Sequence, residues 1–225
     1  MNDQPQKAVL NWTDSGVPIA TRFDDPYYSL KDGLAETHHV FLAGNDLPDR
    51  FENGFSIAEL GFGTGLNLLA TWAMWETHGM KTPLQFTSFE AFPMALEDMK
   101  TALAHWPELS DYGERLLVGL SKTPTEFHDA TLQFKLIIGD ARKTLPEWNG
   151  SADAWYLDGF SPAKNPELWE AELLFAVAGH TRPCGSTATY SAAGHVRQKL
   201  EQAGFEVTRV PGFGHKRHMT KAVMP

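Results

Sequence analysis

The stretch Phe55-Ser-Ile-Ala-Glu-Leu-Gly-Phe-Gly-Thr-Gly-Leu-Asn67 decides how this chain is read. It begins as a short apolar run and ends in glycines spaced two apart, Gly61, Gly63 and Gly65. A helix-forming segment, Leu66 to Thr77, follows at once. That order predicts a buried strand, a tight turn and a helix start. Glycine lets a backbone pass close to a ligand, and the helix N-terminus offers unpaired N–H groups. Glu59 stands just before the turn, where a strand delivers it to the same pocket. The spacing excludes a dinucleotide fingerprint. That pattern needs G-x-G-x-x-G, and the position for its third glycine is Leu66.

The pattern present, E-x-G-x-G-x-G, resembles the first motif of class I S-adenosylmethionine (SAM) methyltransferases. The resemblance implies SAM as cofactor, with the acid helping to hold its cationic, amine-bearing end. A glycine-rich turn without a ligand is the alternative, but three glycines lose much conformational entropy on folding for no return.

The whole chain sets bounds. Its 225 residues, 42% hydrophobic and 21% charged, suit one large soluble α/β domain. No apolar run approaches the ~20 residues that cross a bilayer, and the N-terminus Met-Asn-Asp-Gln-Pro-Gln-Lys has no signal-peptide core. The lone Cys184, in Arg-Pro-Cys-Gly, is read as a structural residue in a turn between a helix and a strand. Together these features suggest a reducing, cytoplasmic setting with no membrane partner. No Cys/His spacing resembles a zinc site, so no metal is expected. The net charge of −9 argues against nucleic acid, but its distribution weakens that objection. Residues 195–225 hold six Lys or Arg against two acids, a net of +4 on an otherwise acidic body. That tail is either a phosphate-facing patch or an ordinary solvated end.

Strands alternate with helices after residue 54, which calls for a mostly parallel sheet covered on both faces. Residues 1–54 read as an N-terminal extension packed on the main domain, 55–225. Within it, Ala8 to Ala20 suggests a hairpin, and Gly33 to Leu42 a helix. Phe23, Tyr27 and Tyr28 form an aromatic cluster read as packing rather than recognition. Leu84 to Glu90 is the second central strand, and Pro93 to His105 a helix. Residues 106–131 read as a loop and an extra strand, possible partner in a hairpin to Thr131–Ile138. Arg142 to Trp148 reads as a short helix, Ala152 to Leu157 as a strand, and Glu167 to Ala178 as a helix. Cys184 to Tyr190 is a strand, Gly194 to Ala203 a helix, and 205–210 with 218–223 a closing antiparallel pair.

Acids end three of the strands. Glu90, at the end of the second, suits a ribose diol, and Asp140 the adenine amino group. The candidate cofactor set is Glu59, Gly61, Gly63, Thr64, Gly65, Asn67, Glu90, Ala91, Asp140 and Ala141, with Asp158 beside the reactive methyl. Asp158 opens Asp-Gly-Phe-Ser-Pro-Ala-Lys-Asn-Pro166, next to the glycine-loop strand. An amine acceptor must be neutral before it attacks a methyl group, and an Asp hydrogen-bonded to it can orient it and take its proton. Asp158 is therefore the candidate catalytic residue; capping its loop or holding the cofactor amine is the other reading. Phe160 can stack on a base, Pro162 shapes the backbone, and Lys164 and Asn165 can reach a phosphate or a base edge. With Lys216 and Arg217 of the tail, these make the candidate substrate set.

Three runs, Glu59–Asn67, Ser88-Phe-Glu-Ala-Phe-Pro93 and Asp153–Trp169, are flanked by Asp24-Asp-Pro-Tyr-Tyr-Ser29, Gly33-Leu-Ala-Glu-Thr37 and Gly212–Met219. Together they resemble the methyltransferase domain of MnmC-type tRNA 5-methylaminomethyl-2-thiouridine biosynthesis proteins. The resemblance covers nearly the whole chain. It implies a class I, Rossmann-like fold and SAM-dependent methylation of the aminomethyl group at carbon 5 of the tRNA wobble (2-thio)uridine. In the family the aspartate matching Asp158 is the proposed catalytic residue. Many members continue into an FAD-dependent oxidoreductase domain, absent from this chain, so the resemblance implies a standalone form or an excised domain; if standalone, a separate enzyme supplies the amine substrate. His215 and His218 stand where the family often has arginine and glutamate. Two other readings stay open: methylation of a protein or small-molecule amine, and a nucleotide-binding scaffold without catalysis.

Overall fold

The computed structural model describes residues 6–29 and 31–225. Residues 1–5 and Leu30 of the expected extension lie outside the described residues. A small antiparallel sheet comes first: β1 (Leu10–Trp12), β2 (Pro18–Ala20) and β3 (Asp25–Pro26). Helix α1 (Gly33–Thr37), capped by the Asp32 carboxylate on the Ala35 N–H, runs on through wider and tighter turns to Asn45. Then follow β4 (Ser56–Leu60), α2 (Leu66–Thr77), β5 (Leu84–Glu90), α3 (Leu96–Leu103), α4 (Ser110–Lys122), β6 (Glu126–His128) and β7 (Leu132–Ile138). The rest comprises α5 (Ala141–Thr144), β8 (Ala152–Leu157), α6 (Ala171–Gly179), β9 (Thr181–Thr189), α7 (Gly194–Gln202), β10 (Glu206–Pro211) and β11 (His218–Val223).

The main sheet has the order β10-β11-β9-β8-β4-β5-β7-β6. Strands β9, β8, β4, β5 and β7 are parallel. The closing strand β11 runs antiparallel to both β9 and β10, and β6 antiparallel to β7. Every residue of β4 and β8 is buried, as expected of central parallel strands with a helical layer on each face. One core cluster includes Trp72, Trp75 and Phe134; the other includes Trp155, Leu173 and Leu200. Val40, Phe41 and Leu42 belong to the first cluster, so the segment after α1 is part of the main core. The chain leaves β4 outward to β5 and β7, then returns to β8 on the other side. Ligands of open α/β sheets bind at such a reversal, outside the carboxyl ends of the strands.

Three sequence expectations need correction. Residues 110–122 form a helix, not a loop and strand. Gly113, Leu116 and Leu120 are buried at helical spacing, while Val118 is 48% exposed, so the Leu-Leu-Val run straddles two helix faces. Gly119 lets Phe127 lie against the helix, where a Cβ would stand 2.0 Å from the ring. The extra strand is only β6, and it does pair with β7 as a hairpin. Secondly, Cys184 lies inside β9, in a bulge rather than a turn before it, with φ of +61°. The Arg50 guanidinium donates to the carbonyl oxygens of Cys184 and Asp153, satisfying backbone groups that the bulge removes from the ladder, and also to the Asn45 carbonyl after α1. Thirdly, the helix expected from Glu167 is broken into a tight turn at Pro166–Trp169 and then α6.

Candidate active site

The strand ends meet in register. Gly61 N donates to Phe89 O, Asp158 N to Leu60 O, and Gly139 N to Glu90 O. A cavity of about 780 Å³ opens above them. Its wall includes Gly61, Gly63, Thr64, Asn67, Glu90, Ala91, Asp140, Ala141, Asp158, Phe160, Asn165 and Lys216 from the sequence-predicted set. Glu59, Gly65, Pro162, Lys164 and Arg217 do not line it.

All three loop glycines have positive φ, +92°, +54° and +82°. Gly61 serves the protein's own packing: a Cβ there would lie 2.4 Å from the Asp158 carbonyl oxygen. Gly65 turns its bare side to the Phe62 ring, which explains its absence from the wall, and starts α2 with no side-chain cap. The first N–H groups of α2 are thus left for a ligand or water.

Glu59 is fully buried and faces away from the cavity. Its carboxyl accepts from Ser88 Oγ (2.7 Å) and Asn67 Nδ2 (2.9 Å). Burial pushes its pKa well above the ordinary range, against those two hydrogen bonds. The same Asn67 Nδ2 donates to Asp158 Oδ2 at 2.7 Å, while Asn67 Oδ1 accepts from Thr37 Oγ1 at 2.8 Å. Asn67 is therefore fixed on three sides and holds Asp158 in place. The acid of the E-x-G-x-G-x-G pattern positions this asparagine and does not itself reach the cavity.

Burial raises the Asp158 carboxyl to about 7; Asn67 opposes the rise, the Glu36 charge adds to it, and Lys216 opposes it. Glu90 Oε2 accepts from Gly63 N (3.1 Å) and Oε1 from Phe92 N (2.7 Å), tying β5 to the glycine loop. Burial also raises Glu90, against these backbone bonds. Asp140 caps α5 on Arg142 N (3.0 Å) and grips the Arg142 guanidinium at 2.7 Å, which lowers its pKa. Its oxygens keep lone pairs for a further donor. Asn165 is buried, and its Oδ1 has no hydrogen-bond partner among the described residues.

The aromatic cluster of the extension packs as its sequence suggests, and it also forms part of the cavity wall. Phe23 stacks on Phe160 with centroids 4.8 Å apart, and Tyr27 meets the same ring edge-on at 5.1 Å. Phe23, Tyr27, Tyr28, Glu36 and Tyr190 all line the cavity. Asp25 Oδ2 accepts from Ser161 N at 2.9 Å, and Lys164 Nζ lies against Asp24 and Asp25. Lys164 thus ties the extension to the 158–166 loop, outside the cavity. Pro162 sits in the turn closed by Lys164 N and Asn165 N on Ser161 O. The tail is less available for phosphates than its charge suggests: Lys216 pairs with Glu36, Lys221 with Asp46, and Lys199 donates to the Trp169 carbonyl. Arg217 is exposed on the β10–β11 turn and has no ion pair among the described residues.

Among the described residues no helix is long and apolar enough to cross a membrane. Known proteins match this chain closely. It is 42% identical to the tRNA 5-methylaminomethyl-2-thiouridine biosynthesis bifunctional protein MnmC of Stutzerimonas stutzeri, over 98% of this chain and 36% of that protein. The protein of the same name from Pseudomonas savastanoi is 44% identical, over 93% of this chain and 33% of the relative. The chain therefore spans about a third of the length of the curated relatives it matches. The crystal structure of MnmC2 from Aquifex aeolicus superposes with a TM-score of 0.78 at 28% identity, covering 100% of this chain and 73% of that one. A family model described as S-adenosyl-L-methionine-dependent methyltransferase matches residues 96–225. By that match, over more than half its length, the chain belongs to the S-adenosyl-L-methionine-dependent methyltransferase family.

Proposed function

We propose that this chain methylates the primary amine of the 5-aminomethyl group on the tRNA wobble (2-thio)uridine, giving 5-methylaminomethyl-(2-thio)uridine. The observation that carries the reading is Asp158: a carboxyl raised to about 7, locked by Asn67 and facing the cavity at the strand reversal. The names of the relatives give the finished nucleoside, 5-methylaminomethyl-2-thiouridine in tRNA, and removing its methyl group gives the acceptor amine. In this reading residues 1–54 act as an extension that walls the cavity, and the amine comes from a separate catalytic activity. The setting is the cytoplasm.

The residues present fit SAM. The uncapped α2 N-terminus, Glu90 and Asp140 at neighbouring strand ends, and the unpartnered Asn165 Oδ1 offer donors and acceptors along one cavity. Gly61, Gly63, Thr64, Asn67 and Ala91 would form the floor beneath it, and Ala141 the wall beside Asp140. Bound there, SAM supplies an electrophilic methyl carbon on a sulfonium. Asp158 accepts the proton that the acceptor nitrogen must shed, and Asn67 keeps the carboxylate aimed. Glu59 and Thr37 keep Asn67 from rotating. Phe160, stacked on Phe23, presents a flat face for the base.

The internal pairing of Lys216 and Lys221 favours a second reading, a protein or small-molecule amine as acceptor. Labelled SAM incubated with tRNA carrying 5-aminomethyluridine, and with the same tRNA lacking it, separates the two. Transfer only to the first supports the tRNA reading; equal transfer to both, or none, overturns it.

A further inference from the structure

Lys216 reaches inward from the β10–β11 turn. Its Nζ lies 2.8 Å from Glu36 Oε1 and 3.9 Å from the centroid of the Tyr190 ring. The Glu36 side chain is only 12% exposed, and the Tyr190 ring is fixed by its hydroxyl donating to Gly159 O at 2.7 Å. Glu36, Tyr190, Lys216 and Asp158 all line the one cavity. A carboxylate and an aromatic face around one position form an ammonium site, since both attract a cation and the ring face does so without a hydrogen bond. Here the occupant is the protein's own lysine. Glu36 lies on α1, far from Lys216 in sequence, so the fold assembles this cage from distant segments.

We propose that Glu36 and Tyr190 form the recognition site for the acceptor's ammonium, and that Lys216 occupies it until substrate enters. This deepens the reading above and rests on it. On entry the substrate ammonium replaces the lysine ammonium, so charge in the cage is conserved. Lys216 swings out toward the solvent side, where a phosphate can take it. Asp158, on the same wall, then receives one N–H proton, leaving the nitrogen lone pair free. The alkylammonium chemistry has two sources, the acceptor amine and the α-ammonium of SAM; the position of Lys216 on a long, rotatable side chain at the cavity mouth favours the acceptor.

The test measures Kd, with S-adenosylhomocysteine present, for tRNA bearing 5-aminomethyluridine and for the same tRNA lacking the aminomethyl group. The ratio of the second to the first reports amine recognition alone. Glu36→Gln is expected to lower that ratio about tenfold, and Glu36→Asp to retain most of it. Lys216→Met is expected to raise the ratio several-fold, about 3-fold or more, even if both tRNAs bind more weakly, because the competing cation is gone. Lys216 is at the surface, so this variant keeps the test open if Glu36 variants fold poorly. Kd for SAM should stay unchanged in all three. A ratio left at its wild-type value by both Glu36→Gln and Lys216→Met would overturn the cage while leaving the methylation reading intact. A fall in SAM affinity without a change in ratio would assign the cage to SAM instead. A wild-type ratio near one would overturn the cage, and label transfer to the two tRNAs then decides the methylation reading on its own.

Discussion

Replacing Asp158 by Asn separates its chemical role from its structural one. The amide is isosteric, and its oxygen can still accept from Asn67 Nδ2, which lies 2.7 Å from the wild-type carboxylate. In the folded wild type the carboxyl titrates at about 7, against an ordinary value of 3.8, with burial as the main cause. A folded pKa raised above the unfolded one means that the native state binds the proton more tightly. Stability from this group is therefore full below the unfolded value and is lost as pH rises to about 7. The gap between those two values, at ~1.36 kcal/mol per pH unit, sets a ceiling of about 4 kcal/mol, and access to water through the cavity lowers it to roughly 2–4. The neutral amide of Asp158→Asn carries no such penalty. Without cofactor, the variant should melt with the wild type near about pH 4 and roughly 5–10 °C above it from about pH 8 upward. Turnover should fall by about 10²-fold or more, with SAM affinity held within a few-fold. Wild-type kcat/KM should decline as pH drops below about 7. Thermal melts across pH, calorimetry for SAM, and initial rates of methyl transfer across pH check these in turn. A stability gap that does not change with pH, or SAM affinity that collapses while turnover survives, would refute the assignment.

Two other substitutions probe the frame around the site. Gly61→Ala places a Cβ 2.4 Å from the Asp158 carbonyl oxygen at φ +92°, and should destabilise by roughly 2–4 kcal/mol in urea unfolding, with SAM binding lost alongside. Arg115→Met removes a guanidinium lying 4.2 Å over Trp72 and bonded to Glu76 and Asp129. Burial alone would raise both carboxyls, but hydrogen bonds, including those from Arg115, hold them below their ordinary values. That stability is present above the unfolded pKa values and is lost as pH falls. The variant should lose about 1–3 kcal/mol at neutral pH and converge on the wild type in acid, as read by melts at both pH values.

Local patterns carried the sheet and the cavity floor. The glycine loop, the acids ending β5 and β7, and Asp158 ending β8 each follow a strand whose burial is written in its own apolar run. What escaped depends on contacts distant in sequence. Glu59 is an acid in the right motif, yet Asn67 and Ser88 enclose it, and only the folded strand shows which way it faces. The helix at 110–122 was hidden because Leu116, Leu117 and Val118 read as a strand run, while its buried face is spaced by three and four. Phe23 and Tyr27 stand more than 130 residues from Phe160, so nothing local marks them as cavity wall. Glu36 carried no signal beyond its place in Gly-Leu-Ala-Glu-Thr. Net charge in the tail did not disclose that Glu36 and Asp46 engage two of its lysines.

The most direct test of the central claim is the identity of the product. After reaction with SAM, tRNA bearing 5-aminomethyluridine is digested to nucleosides and analysed by mass spectrometry. One added methyl group on the exocyclic nitrogen of the wobble nucleoside, absent with Asp158→Asn over the same time, is the predicted result. Methyl found on another nucleoside, on a ring atom or ribose, or only on added protein would contradict it.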